Sequence, residues 1–359
     1  MVILYILLAV LILMFMIMIH ELGHYLAGKI LKFKIEEFSI GMGPAIFSKK
    51  MKSGEIFSLR WIPLGGYCAF KGEDEEEEDE EGKVVEGTFN SYACWKRIIV
   101  LIAGALFNFV SGIIFVFVLL LSVGSGIVKI NDVVATNENK NLLFKNDIIL
   151  EVDGVEPTFL NGGIVGLMAD KDVGEEIVLT INRDGEIVDV VVKKYQQYQL
   201  DEEGNEVLDD DGNPIVIGKV LGIQTEYVKL RFGEAILKCV PYTFKMAWEC
   251  LVILGQLVTG QIGLESVGGP ITTVQTIVTT TQASMKNLLL LFPLLAVNLA
   301  VFNILPIPAL DGARVVFVLI EWIFKKPVPR DIEAKIHSVG LMVLFGLVIV
   351  IDLLHLFLF

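Results

Sequence analysis

Long uncharged apolar stretches alternate with polar, strand-patterned ones along this chain. Four of the apolar stretches are long enough to cross a bilayer. The first lies in 1–32, with an unbroken apolar run from Val2 to Ile19. The second covers 98–123 and ends at Gly124-Ser125-Gly126. The third, 285–324, is interrupted near Pro306 and Pro308, and the last covers 337–359. The first stretch has no basic leader and no small-residue cleavage site, which predicts a retained helix rather than a signal peptide.

The segments between the spans have other periods. In 33–97, Phe38 to Pro44 and Phe57 to Tyr67 alternate like strands, with glycines that mark turns or close backbone approach. They predict a β-hairpin near the membrane surface. It is either a plain structural hairpin or a sheet edge for an extended substrate strand. Glu73 to Glu81 is almost wholly acidic, so it predicts a self-repelling, solvated loop. Short β-rich runs fill 127–195, separated by turns at Asp153-Gly154 and Asp184-Gly185, and predict a small β domain outside the membrane. A β-rich extension follows in 196–232. Its Asp201-Glu202-Glu203-Gly204 and Asp209 to Pro214 stretches lack the ligand register of a calcium loop and read as turns. An amphipathic helix and linker occupy 234–284, broken at Gly268-Gly269-Pro270.

Composition supports a membrane class. The 359 residues are 54% hydrophobic, with mean hydropathy +0.65, too apolar for an ordinary soluble protein. The formal charge of -14 is concentrated in two acidic stretches, and no basic stripe interleaved with aromatics points to nucleic acid. Cys68, Cys94, Cys239 and Cys250 are scattered without CxxC spacing, which argues against a disulfide framework. Basic residues cluster in the loop before the second span and in the loop before the last. By the positive-inside rule both loops face the cytoplasm, and the termini and the β domain lie on the other side.

Candidate chemistry sits at the end of the first span, in His20-Glu21-Leu22-Gly23-His24. Imidazoles four residues apart share one helix face, the spacing that lets both coordinate one Zn2+. Glu21 can then serve as general base toward water. Charged groups at membrane depth need a partner or a task, and a metal site supplies both. A catalytic zinc takes three protein ligands. Asp311 in Asn303-Ile304-Leu305-Pro306-Ile307-Pro308-Ala309-Leu310-Asp311-Gly312 is the better third candidate, because the prolines leave backbone groups unpaired around it. The alternatives are that Asp311 caps the next helix, or that His337 or His355 supplies the ligand.

With these two motifs in place the chain resembles the site-2 proteases, the intramembrane zinc metalloproteases. It is most similar to their bacterial PDZ-containing branch, which includes the regulator of sigma-E protease. Asn108, Gly268-Gly269-Pro270 and Trp61 to Tyr67 are similar to further family segments. The resemblance implies a multi-pass α-helical membrane protein of the bacterial inner membrane. It would have about four transmembrane helices, a membrane-associated re-entrant β-hairpin and one inserted β-rich PDZ domain. It implies that His20, His24 and Asp311 bind zinc and that Glu21 is catalytic. Asn303, Asn298, Asn108, Gly65 and Gly66 would bind substrate. Implied partners are transmembrane segments of single-span proteins, such as anti-sigma factors or remnant signal peptides, the lipid bilayer, and an upstream site-1 protease. The chain departs from the pattern at Ala313-Arg314, where the family carries Gly-His, and in the PDZ loop at Asn139 to Asp147. There Asn146 takes the place of a glycine, as its tolerance of left-handed backbone allows. Two other readings use the same residues: a membrane PDZ adaptor with a structural or inactive metal site, and a metal or proton transporter.

Overall fold

In a computed structural model the apolar run that opens the chain is one helix, α1 (Val2–Ile30). It leads into two long strands, β1 (Ile35–Lys50) and β2 (Ile56–Phe70), and then α2 (Cys94–Ser122). The following segment holds β3 (Val128–Val133), β4 (Ile148–Val152), the short α3 (Gly163–Leu167), β5 (Glu176–Arg183) and β6 (Glu186–Lys193). It continues with β7 (Tyr195–Tyr198), β8 (Val216–Val220) and β9 (Ile223–Tyr227). The chain ends in α4 (Phe232–Val258), α5 (Pro270–Ala283), α6 (Leu288–Ile304), α7 (Asp311–Phe324) and α8 (Arg330–Phe357). The structure describes residues 2–73, 85–134, 138–198, 207–209, 213–264 and 267–357. Most of the acidic run Glu73 to Glu81 and the turn at Asp201-Glu202-Glu203-Gly204 lie outside the described residues.

Two compact units divide the chain: Met1–Val116 with Cys239–Phe359, and Phe117–Lys238. The first unit carries α1, most of α2 and the helices from α5 onward. Among the described residues four segments are long and apolar enough to cross a membrane: Ile3–Ile30, Cys94–Ser122, Met285–Ile304 and Arg330–Phe357. Lipid offers no hydrophobic drive to pair such helices, so close packing at small residues matters. At the α1–α2 crossing a Cβ on Gly23 would lie 2.3 Å from the Ala103 carbonyl, so the backbones touch. Ala9, Ile12 and Met16 of α1 pack on Ile277 and Val278 of α5 and Ala296 of α6.

Three boundaries differ from the sequence reading. The span expected over 285–324 is two helices, because Pro306 and Pro308 cannot continue α6 past Ile304. The last helix begins at Arg330, directly after Pro329, with a polar first turn that hydropathy reads as loop. The stretch taken for a linker contains α5, whose threonines look unhelical by composition. Thr273, Thr276, Thr279 and Thr281 each donate to the carbonyl four residues back, so their hydroxyls are satisfied inside the helix.

β1 and β2 form more than a simple hairpin. Residues 37–40 pair on one side with 66–69 and on the other with 56–59, while 47–50 pair with 56–59 again. Both strands fold back, at Gly41 and Gly43 in β1 (φ 85° and 82°) and Gly65 in β2 (φ 97°), a conformation that favours glycine. Among the described residues no strand pairs with the outer side of Gly66–Phe70.

The second unit is built on a five-stranded antiparallel sheet in the order β6-β5-β4-β3-β9. Its core holds Ile130, Ile149, Ile177, Leu179, Ile181 and Val192, each fully buried and stabilising by about 1.5–3 kcal/mol. The extension at 196–232 therefore supplies a strand of this sheet, β9 beside β3. Asn146 adopts φ 77° in the turn before β4, and Asp147 there binds Arg183 at 2.7 Å.

Candidate metal centre

Helical geometry brings His20 and His24 together in the C-terminal half of α1, with ring centroids 4.8 Å apart and planes near perpendicular. Both residues are 8% exposed, and their Nε2 atoms are 3.1 Å apart. The third group arrives from the far end of the chain. Pro306 and Pro308 stop α6, the chain turns through Ala309 in the left-handed region (φ 79°), and α7 starts at Asp311. The Ala309 N–H donates to His337 Nδ1 on α8 at 3.0 Å, which ties down the turn. Leu310, not Asp311, occupies the helix cap, so the Asp311 carboxylate is free of that task. Its Oδ2 lies 2.9 Å from His20 Nε2 and 3.2 Å from His24 Nε2.

These three atoms fit one divalent ion. Bonds of about 2.0–2.1 Å to a tetrahedral zinc put neighbouring ligand atoms roughly 3.3 Å apart, close to all three edges of the observed triangle. His24 also has the correct tautomer. Its Nδ1 is 2.8 Å from the Val100 carbonyl, which can only accept, so Nδ1 carries the hydrogen and Nε2 keeps a lone pair. The opposite wall is Gly104 of α2, where a Cβ would lie 2.3 Å from His24 Nε2 and 2.8 Å from His20 Nε2. Only a glycine leaves room for both rings.

Glu21 stands beside this cluster, turned toward β2. The Cys68 backbone N–H donates to its carboxylate, and a Cβ on Gly66 would lie 3.5 Å from Glu21 Cγ. Glu21 is thus close both to the ligand triangle and to the stretch of β2 at Gly66–Cys68. Asn108 is fully buried on α2 with Nδ2 3.4 Å from His20 Nδ1.

The remaining expected site residues are engaged elsewhere. Asn303 donates from Nδ2 to the Leu299 carbonyl of its own helix at 2.9 Å. Asn298 accepts from Cys250 Sγ on α4 at 2.5 Å. Gly65 serves the fold of β2, where its missing side chain makes room for Met42. Sequence reasoning overlooked Val100 and Gly104, and weighed His337 only as a metal ligand, whereas it accepts from the Ala309 N–H. A spacing of four along α2 joins Val100, Gly104 and Asn108 on one face, and that signal was available. The use of a backbone carbonyl was not. Arg314, at the departure from the family pattern, pairs with Glu73 at 2.5 Å.

A second cluster ties α1 to the start of β2. Glu55 accepts from Lys29 at 2.5 Å, Ser53 at 2.8 Å and Tyr25 at 3.1 Å. Burial works to raise the Glu55 carboxyl, but the Lys29 ammonium and the other donors outweigh it and hold it at about 2.

Residues 8–347 match the model of peptidase family M50. The chain is 31% identical over 352 residues to a protein of Clostridium perfringens (strain 13 / Type A) named as a zinc metalloprotease, covering 97% of each. A protein of Fusobacterium nucleatum subsp. nucleatum with the same kind of name is 32% identical over 359 residues, 96% of each chain. One from Campylobacter jejuni subsp. jejuni is 28% identical over 349 residues, covering 95% of this chain and 90% of its own.

Proposed function

Because the chain belongs to peptidase family M50 and is a membrane-embedded zinc metalloprotease, we propose that it hydrolyses peptide bonds inside transmembrane segments of single-span proteins. His20, His24 and Asp311 hold the zinc in this reading. The observation that carries it is the triangle of three ligand atoms, 2.9, 3.1 and 3.2 Å on its edges, contributed in part by a helix of membrane-spanning length. Zinc, when bound, supplies Lewis acidity that activates water and polarises a carbonyl.

The chain's own groups do the rest. Glu21 accepts the proton of the attacking water and returns it to the leaving nitrogen, while the Cys68 N–H keeps its carboxylate aimed. A helical substrate shields its carbonyls in hydrogen bonds, so it must be extended before attack. Among the described residues no strand lies along the outer edge of Gly66–Phe70, close to Glu21, and this edge would take such a segment as an added strand. Exposed Trp61, Ile62 and Met42 make the folded-over hairpin apolar enough to sit against lipid.

The basic loops favour an active site toward the cytoplasmic side of a bacterial inner membrane, with the termini and the second unit outside. The second unit acts as a PDZ domain that screens bulky ectodomains, so substrates reach the site after a site-1 cut, as in regulated proteolysis of anti-sigma factors or remnant signal peptides. Its antiparallel sheet and the left-handed Asn146 turn support that assignment. Against an adaptor or a transporter stands Glu21, a carboxylate placed beside the three residues that would hold the zinc, where it can take a proton from water. Cleavage of a model transmembrane substrate by purified protein tests this. Glu21→Gln is expected to keep zinc and lose cleavage, and Asp311→Ala to lose zinc. Undiminished cleavage by the Glu21 variant rules out its role as base.

A further inference from the structure

The side-chain amide of Asn108 faces Nδ1 of His20, the ring nitrogen that would not hold the metal. If His20 is to present an Nε2 lone pair to the Asp311 side, its Nδ1 must carry the hydrogen, because a neutral imidazole has one donor and one acceptor. Among the described residues, the only hydrogen-bond partner of His20 Nδ1 is Asn108, at 3.4 Å. The amide atom at that distance is Nδ2, a second donor. The other amide atom, Asn108 Oδ1, is buried with no hydrogen-bond partner among the described residues, in a side chain that is 0% exposed. Two problems coincide: a donor facing a donor, and an acceptor facing nothing. Half a turn of the amide removes the first and answers the second, since the oxygen then accepts from His20 Nδ1–H.

We propose that Asn108 is a positioning residue of the metal centre: its side-chain carbonyl accepts the His20 Nδ1 hydrogen and so fixes His20 as an Nε2 ligand. This rests on the reading of His20, His24 and Asp311 as the zinc site. It differs from a substrate-binding role for Asn108. It also makes the α2 face symmetrical in purpose, with the Val100 carbonyl fixing His24, Asn108 fixing His20, and Gly104 between them leaving room for both rings. An outer hydrogen bond of this kind sets both ring orientation and ligand basicity, and its loss weakens metal affinity by about 10–100-fold.

The test is zinc affinity of the full-length protein, by competition with a chromophoric chelator, for wild type, His24→Ala, Asn108→Leu and Asn108→Asp. Leucine keeps the volume and removes the acceptor. Aspartate keeps the shape and can only accept. The expected result is a loss of about 10–100-fold for Asn108→Leu and near wild-type affinity for Asn108→Asp. Unchanged affinity in Asn108→Leu, with or without a raised KM, overturns the proposal. So does an aspartate variant as weak as the leucine one. Should Asn108→Leu fail to fold, imidazole 15N shifts of the wild-type protein decide: a protonated His20 Nδ1 is expected, and an unprotonated one overturns it. If His24→Ala binds zinc like wild type, the zinc-site reading itself fails, which is a separate outcome.

Discussion

Replacing Gly104 with alanine adds one methyl group to the wall of the ligand cluster. On the present backbone that carbon would lie 2.3 Å from His24 Nε2, 2.7 Å from His20 Cε1 and 2.8 Å from His20 Nε2. Ordinary contact begins near 3.4 Å, so the rings or the helix must yield by about 1 Å. The rings are poorly able to turn, since His24 is tied to Val100 and both must meet Asp311. A shift of that size opens the triangle beyond what one ion spans, and a misplacement of about 1 Å costs on the order of 100-fold in rate. The helix itself gains, because alanine is roughly 0.8–1.0 kcal/mol better than glycine in a helix interior. Activity should therefore fall by about 100-fold, and zinc affinity should fall with it, while α2 stays folded. Gly112→Ala, two turns further along, is the control: its nearest neighbour is a Val297 methyl, the movable end of a side chain. Chelator competition and cleavage of a transmembrane substrate read both variants. Wild-type zinc affinity in Gly104→Ala, or an equal loss in Gly112→Ala, would refute the reasoning.

Two further expectations concern the frame around the site. Asp352 on α8 accepts from the N–H groups of Ile271 and Thr272 and from the Thr272 hydroxyl, capping α5 from another helix. Asp352→Ala removes three charge-assisted bonds to partly buried donors and should cost about 1.5–3 kcal/mol, read as a lowered unfolding midpoint in detergent; a change below about 0.5 kcal/mol contradicts the cap. The Glu55 carboxyl, held at about 2 against an ordinary value near 4.3, is depressed by folding. Its contribution is thus fully present above about pH 4.3 and is lost as pH falls through about 2. The stability difference between wild type and Glu55→Gln should shrink across that window, and a constant difference would show that Glu55 does not titrate there.

The parts of the site carried by side-chain spacing were legible in the sequence. His20 and His24 declare a shared helix face by their separation, and Asp311 stands where prolines forbid the helix to continue. Gly104 and Asn108 follow the same rule of four but pass as ordinary members of an apolar helix, because their role depends on what α1 places opposite. Backbone participation leaves no letter: Val100 acts through its carbonyl, and Cys68 through its N–H. The doubled-back pairing of β1 and β2 depends on which turn each glycine takes, and the alternation Phe57-Ser58-Leu59-Arg60 suits a simple hairpin equally well. β9 joins its sheet by a long-range pairing with β3 that local pattern does not encode. α5 was hidden by threonines whose hydroxyls bond within the helix.

Anomalous diffraction at the zinc edge, on crystals of the full-length protein grown in lipid, tests the central claim most directly. A single peak about 2.0–2.1 Å from His20 Nε2, His24 Nε2 and Asp311 Oδ2 is the expected result. A stoichiometric zinc peak that does not touch Asp311, or that lies away from both imidazoles, would contradict it.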